Sequence, residues 1–332
     1  MTRSLPLGRR AILRAAPALL AAPAFGQSPP ADLEAHARSL DQLHALALSR
    51  RGEEVLAVAP RGPGLDRPAN VKSVSKTILA LMTGIAIERG ILEGPEQRVL
   101  PLLGRGPAGD ARDALTVGDL LSMRTGLAST SGGDYGAWIA SGNWVDYVLS
   151  RELVDRPGGR FIYSTGGWHV LGAALSGAAG QSLHSLAREW IGAPLGLDLP
   201  PWARDPQGNF LGGNEMAVSP RGLLRIGETV LGGGVWEGAR VVPEAWIETS
   251  WEPRARSPWS GDAYGYGWFL TRIAGREAAY ARGYGGQVLA VVPEEDIALA
   301  ITSDPLLPAR SGGYFSDLRA LMEHAVETAA AA

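Results

Sequence analysis

Residues 70–90 read "NVKSVSKTILALMTGIAIERG". From Val74 to Ile87 apolar side chains (Ile78, Leu79, Leu81, Met82, Ile85, Ile87) fall on every side of a helical projection, so this helix is expected to be enclosed by the protein. Gly90 is expected to end it. The stretch holds both lysines of a chain with 31 Lys and Arg residues, the rest all arginine. If charge alone mattered at position 76, arginine would serve. With Ser73 at the start of the helix, Lys76 lies one turn on and on the same face. The Ser73 hydroxyl then sits where backbone N–H groups favour negative charge. Enclosed among Ile78, Leu79 and Met82, the ammonium loses hydration, its pKa falls, and a free amine becomes available as a base. Arginine stays protonated and cannot do this. Lys72 is read as a solubilising residue, the alternative being that it tunes the site electrostatically.

Outward from this helix the pattern changes twice. On its N-terminal side "HALALSR" and "EVLAVAP" flank "RGE", two apolar strands joined by a tight turn, and "RGPGLDRPAN" is a loop. On its C-terminal side "LTVGDLLSMRTGL", "GAWIASGNWVDYVLS", "GGWHVLGAALSGAAG" and "SLHSLAREWIGAPLG" alternate helical patterns with glycine-rich loops. After "GGNEMAVSPRGLLRIGETVLGGG", strand patterns return in "YGYGWFLTRI", "EAAYARGYG", "QVLAVVP" and "IALAITSD", and the chain closes on a helix near "FSDLRALMEHAVETAA". Strands at both ends with helices between them predict an α/β (α+β) fold with one sheet assembled from the two termini. The expected division is a sheet domain from residues 27–95 and 214–332 and an inserted helical domain from 96–213. "LGGGVWEG" reads as a glycine-rich hairpin, because no Lys-Ser or Lys-Thr follows it to make a phosphate loop.

Composition excludes several classes of function. Net charge is only -3, and arginines are interspersed with acids, so no nucleic-acid footprint is present. With no cysteine, thiolate nucleophiles and Cys-based metal sites are ruled out. His36, His44, His169, His184 and His324 are dispersed, so no metal and no cofactor are expected. The N-terminus, "MTRSLPLGRRAILRAAPALLAAPAFGQ", runs from a basic segment into a short apolar one and then small residues. It reads as a signal peptide over residues 1–26 and not as a lasting membrane anchor. Arg9-Arg10 before Ala11, Ile12 and Leu13 is of twin-arginine type. The precursor's expected partner is the Tat export machinery, and the mature protein is expected in the periplasm or secreted, starting near Gln27.

"SVSK" at 73–76 resembles the S-x-x-K motif of the serine β-lactamase and penicillin-binding-protein superfamily. "LTVGDLLSMRTGL" is similar to the segment that follows the nucleophile helix in its class C-like branch of esterases, D-aminopeptidases and 6-aminohexanoate-dimer hydrolases. "PGGRFIYSTGGWHVLG" resembles the tyrosine motif of that branch, and "ARGYGGQVLAVVPEEDIALAITS" its third motif. The resemblance spans about residues 43–320. It implies a β-lactamase/transpeptidase-like fold, an antiparallel sheet flanked by helices with an inserted helical domain. It further implies that Ser73 is acylated, Lys76 is its base, Tyr163 relays protons, and the backbone amides of Ser73 and Gln287 form the oxyanion hole. Thr165, Tyr284, Gly285 and Gly286 are the implied substrate contacts.

Two departures from the family pattern bear on the substrate. Thr165 stands where the tyrosine motif usually ends in asparagine, giving a hydroxyl in place of an amide. Tyr284 stands where the third motif carries lysine or histidine, which removes a cationic partner for a substrate carboxylate and disfavours β-lactams. Trp138, Trp144, Trp168 and Trp268 are either core residues or aromatic walls of the cleft. Arg124 and His169 are expected to pair with backbone groups or a surface acid.

The expected function is therefore that of an exported serine hydrolase acting on a small ester, amide or short peptide through an acyl-enzyme. The alternatives are a D,D-peptidase, D-aminopeptidase or weak β-lactamase, and, outside enzymes, an inactive relative that binds peptidoglycan or a partner protein. An α/β-hydrolase is excluded because no G-x-S-x-G occurs.

Overall fold

The computed structural model describes residues 31–331; the twin-arginine leader expected over residues 1–26 lies outside them. Twelve strands are present among the described residues: β1 Leu43–Arg50, β2 Glu53–Val58, β3 Ala69–Asn70, β4 Ala217–Val218, β5 Val235–Trp236, β6 Ala239–Arg240, β7 Ala255–Arg256, β8 Ala263–Tyr264, β9 Phe269–Ile273, β10 Arg276–Gly283, β11 Gln287–Val292 and β12 Ile297–Ser303. The α-helices are α1 Ala31–Ser39, α2 Ser75–Glu88, α3 Val99–Leu102, α4 Val117–Leu121, α5 Tyr135–Ile139, α6 Trp144–Leu149, α7 Thr165–Ala179, α8 Leu183–Ala187, α9 Ala193–Leu195, α10 Pro220–Leu231, α11 Glu244–Ser250 and α12 Tyr314–Ala331.

Eight strands form one sheet in the order β2-β1-β12-β11-β10-β9-β8-β7, and every neighbouring pair is antiparallel. Strands from the two ends of the chain meet where β1 pairs with β12, Ala47 opposite Ala300. All of β11 is buried, as a strand covered on both faces must be. Gly227 of α10 lies against Leu289, Val291 and Ala298 on one face. On the other, Phe315 of α12 stacks with Tyr280, whose cross-strand partner is Ala290.

The helix expected inside is inside: every residue of α2 from Ser75 to Ala86 is buried. It starts later than the sequence pattern suggests, because Lys72–Val74 form a single 3-10 turn that carries Ser73 ahead of the α-helix. Gly84 lets Trp246 of α11 lie directly on α2, with the indole Nε1 donating to Ala80 O at 2.8 Å. A Cβ at position 84 would fall inside the Trp246 ring. Gly84→Ala is therefore expected to lower stability by at least about 1–3 kcal/mol through overpacking, measurable as a loss of chemical or thermal denaturation midpoint.

The segment "YGYGWFLTRI" does not form one strand. Gly265 and Gly267 turn the chain between β8 and β9, and Gly267 packs its backbone on α2, where Thr77 Oγ1 donates to Gly267 O at 2.6 Å. "LGGGVWEG" is the β5-β6 hairpin, as its glycines suggest.

Candidate active site

The short β3-β4 ribbon, Ala69 opposite Val218 and Asn70 opposite Ala217, ties the chain before α2 to the chain before α10. Val71 N–H donates to Met216 O at 2.9 Å, and Met216 N–H donates to Ser75 Oγ at 3.1 Å. These bonds bring residues 212–215 alongside residues 72–76, although some 140 positions separate them. Gly213 has φ +76°, and a Cβ there would come within 2.6 Å of Trp168 Cβ and 2.9 Å of Lys76 Cγ. Only glycine fits that approach.

Lys76 is 2% exposed. Its Nζ reaches Ser73 Oγ at 2.9 Å, Gly213 O at 2.6 Å and Thr165 Oγ1 at 3.4 Å. It also lies 5.1 Å from the centroid of the Tyr163 ring. Burial pushes the Lys76 pKa below its ordinary value, opposed by the neighbouring Tyr163. No carboxylate lies within 4 Å of Lys76 among the described residues. The amine is thus held by neutral acceptors that position it without locking it in the charged state.

Behind Gly213 stands a buried pair. His169 Nε2 and Asp205 Oδ2 are 3.0 Å apart, and Gly212 N–H donates to His169 Nδ1 at 3.3 Å. Since Nδ1 accepts, Nε2 carries the proton that goes to Asp205. His169 pairs with a buried acid and not with a surface one; it props the loop whose Gly213 carbonyl receives Lys76. Gly213→Ala is expected to displace that carbonyl and lower turnover on the order of 10²-fold, read as kcat for a p-nitrophenyl ester beside an unchanged circular-dichroism spectrum.

Lys72 is no surface residue of the ordinary kind. It lies at φ +49°, and Glu215, at φ +66°, faces it. Both are left-handed conformations that non-glycine residues seldom adopt, and the pair is joined at 2.9 Å between Nζ and Oε1. Asn70 Nδ2 donates to Glu215 Oε2 at 2.5 Å, and its Oδ1 accepts from Lys72 N–H at 2.9 Å. Together these contacts hold the backbone immediately before Ser73 in a strained turn, a pattern typical of sites where a side chain must be aimed.

A cleft of about 720 Å³ opens over Ser73, lined among others by Lys72, Tyr163, Thr165, Glu215, Gly283 and Tyr284. Thr165 opens α7 behind its N-cap Ser164, and Ser131 holds it: Thr165 N–H donates to Ser131 Oγ at 2.9 Å, and the two hydroxyls are 3.0 Å apart. The pair of hydroxyls sits beside the amine, with Thr165 Oγ1 3.4 Å from Lys76 Nζ. The Tyr163 ring is flanked edge-on by Trp259, 6.4 Å between centroids. Trp259 is 66% exposed and lines the cleft.

Three of the expected site residues, Gln287, Gly285 and Gly286, lie outside the cleft lining. Gln287 is fully buried, pairs with Gly283 in the β10-β11 ladder, and uses its side chain to bond both the N–H and the C=O of Ser303. It is not among the residues that line the cleft. Gly285 and Gly286 do not line it either: their positive φ values, +84° and +95°, serve the turn after β10, where Gly285 packs on Asp304 and Gly286 on Tyr314. The third-segment residues that border the cleft are Arg282, Gly283 and Tyr284, and the Tyr284 N–H makes no bond to another backbone group among the described residues. Trp138, Trp144, Trp168 and Trp268 are all core. Arg124 serves the backbone, donating to the carbonyls of Gly158 and Gly159.

The sequence matches the Beta-lactamase family over residues 42–320, most of the chain. The chain belongs to the Beta-lactamase family. No curated protein matches it. Among solved structures, it is similar to a penicillin-binding-protein homologue from Caulobacter crescentus, with TM-score 0.71 and 20% identity over 90% of this chain and 98% of that one. The hydrolase EstCE1, described as having promiscuous acyltransferase activity, superposes with TM-score 0.71 and 19% identity over 88% of this chain and 97% of its own. A D-stereospecific amidohydrolase from Streptomyces gives 0.65 and 18% over 82% and 94%. At these identities the likeness is one of fold, and it agrees with the antiparallel sheet and flanking helices described above. In this β-lactamase-family chain, "SVSK", "YST" and the β10 segment, separated by up to about 210 residues, converge on one cleft.

Proposed function

We propose that this serine hydrolase cleaves esters or simple amides through an acyl-enzyme on Ser73, with Lys76 as the base. The observation that carries the reading is the 2.9 Å contact between Lys76 Nζ and Ser73 Oγ in a site where burial lowers the amine's pKa. In the neutral form the amine accepts the Ser73 proton, and Oγ attacks the substrate carbonyl. Negative charge then gathers on the carbonyl oxygen, where the backbone N–H groups of Ser73 and Tyr284 stabilise it. One such donor is typically worth about 3 kcal/mol of barrier. The proton held by Lys76 passes to the leaving alcohol or amine, with Tyr163 assisting, and the carbonyl re-forms as an ester of Ser73. A water molecule, deprotonated by the same groups, attacks that ester, releases the acid and returns the proton to Ser73 Oγ. The mostly apolar and aromatic wall around Trp259 and Phe269 suits an organic acyl or leaving group.

The test is labelling with a fluorophosphonate followed by peptide mass mapping. The expected adduct is on Ser73; an unlabelled protein would point to an inactive binder, and an adduct elsewhere would refute the site. A screen of short-chain esters, linear amides, D-amino-acid amides and nitrocefin then ranks the substrates, with nitrocefin expected to be poorest. Export through the twin-arginine route is part of the same proposal, and it predicts a mature N-terminus near Gln27.

A further inference from the structure

Of the three hydrogen-bond partners of Lys76 Nζ, one can still hand a proton onward once Ser73 is acylated. Gly213 O has no proton to give, and the Ser73 oxygen, then esterified, has none either. Thr165 Oγ1, 3.4 Å from Nζ, keeps its hydroxyl proton. It is only 4% exposed, closed off from solvent like the amine itself. Ser131 Oγ, a further 3.0 Å on, is half-buried and lines the cleft. Ser131 Oγ already accepts from Thr165 N–H at 2.9 Å, which leaves it one lone pair for the Thr165 hydroxyl and its own O–H to turn toward the cleft. Residues 129–131 are fastened to residues 163–166: Ser129 Oγ donates to Tyr163 O at 2.7 Å and accepts from Ser131 N–H at 3.0 Å, and Thr130 Oγ1 accepts from Gly166 N–H at 2.9 Å. The two hydroxyls are thus held in line between a buried amine and the solvent.

A leaving group that departs as an anion, such as p-nitrophenolate, takes no proton with it. The proton that Ser73 gave to Lys76 then stays on the amine when the acyl-enzyme forms, and a charged amine cannot deprotonate the water that must follow. We propose that Thr165 and Ser131 are the exit for that proton. Lys76 Nζ–H gives its proton to Thr165 Oγ1, the Thr165 hydroxyl proton passes to Ser131 Oγ, and the Ser131 proton passes to water in the cleft. The amine is neutral again, both hydroxyls are restored, and one proton has left the site. An asparagine at position 165, the residue usual there, has no hydroxyl to do this. The inference rests on the hydrolase reading of the cleft and deepens it, giving the departure at Thr165 a part in the turnover of the acyl-enzyme.

Hydrolysis of p-nitrophenyl butyrate tests it. Thr165→Val, which keeps the shape of the side chain, and Ser131→Ala are each expected to lower kcat about tenfold or more. KM should fall by the same factor, because kcat/KM is set by acylation and the slowed step comes after it; a burst of one p-nitrophenolate per enzyme should precede the slow steady state. Thr165→Ser should recover most of the loss. The double variant should be no slower than the slower single one, since the two hydroxyls act in series. The decisive readout is rescue at constant pH by 2,6-lutidine, a proton carrier too hindered to attack an ester: it should raise kcat in Thr165→Val and Ser131→Ala and leave the wild type unchanged, after subtraction of the rate with Ser73→Ala. Ser131→Ala also removes the acceptor of Thr165 N–H, whereas Thr165→Val retains that bond, so either variant carries the rescue measurement if the other folds poorly. A fall in kcat/KM with no rescue would reduce the hydroxyls to structural props and overturn the proposal. An unchanged kcat in both variants would overturn it too, sending the proton out by another group. A wild type inactive on p-nitrophenyl butyrate would show separately that the hydrolase reading itself fails.

Discussion

Ser73→Ala is expected to reduce hydrolysis of a p-nitrophenyl ester by a factor on the order of 10⁴–10⁶, the scale seen when a catalytic nucleophile is removed. The fold should survive. Ser73 is half-buried on a 3-10 turn held by other residues: Val71 through Met216, Lys72 through Glu215 and Asn70, and Ser75 through the Lys72 carbonyl at 2.6 Å. Deleting its Oγ removes one acceptor from Lys76 and leaves Gly213 O and Thr165 Oγ1 in place. The measurement is kcat/KM alongside the melting temperature. Activity within tenfold of wild type would exclude Ser73 as the attacking atom.

Lys76→Arg is expected to be nearly as severe, about 10²–10⁴-fold or more, although it preserves the charge. The guanidinium cannot give up its proton at any working pH, and it is also larger than the pocket between Ser73, Thr165 and Gly213. The companion experiment is a pH profile of the wild type. Because burial lowers the Lys76 pKa, the fraction of neutral amine, and with it kcat/KM, should rise with pH through a midpoint below the ordinary lysine value near 10.5. Protonation at lower pH removes the base, so activity falls on the acid side. A profile flat across neutral and alkaline pH, or substantial turnover by the arginine variant, would transfer the role of base to another group. Tyr163 would be the next candidate.

Much of the architecture was legible because it is written in periodicity. A helix apolar on all sides had to be enclosed, and alternating short apolar runs at the two ends had to pair, as β1 and β12 do. The start of α2 was misplaced by two residues because a 3-10 turn and an α-helix share the same local composition around Ser73. The reading of "YGYGWFLTRI" as one strand failed for a related reason. Glycines at 265 and 267 weaken a strand only slightly in isolation, yet here they allow a turn that closes on α2.

The site divides in the same way. Ser73 and Lys76 are three residues apart, so one helical turn is enough to bring them together. Glu215 gave no local signal that it would meet Lys72. Its sign was a pair of strained backbones visible only in three dimensions. Trp259 lies in a serine- and proline-containing loop, "RSPWSGD", and is the tryptophan that reaches the cleft, whereas four tryptophans in stronger apolar contexts are buried.

Sequence alone determined that an enclosed helix carries a serine and a lysine one turn apart, and that strands from both termini make the sheet, because neighbours on a helix and alternation along a strand are properties of short spacing. The tertiary structure decided which carbonyl receives the lysine, which acid meets Lys72, and which residues of the third segment border the cleft. Those contacts join residues 72–76 to residues 163–165, 213–215 and 282–284. They are selected by how loops close and side chains pack around them, and no spacing along the chain encodes that choice.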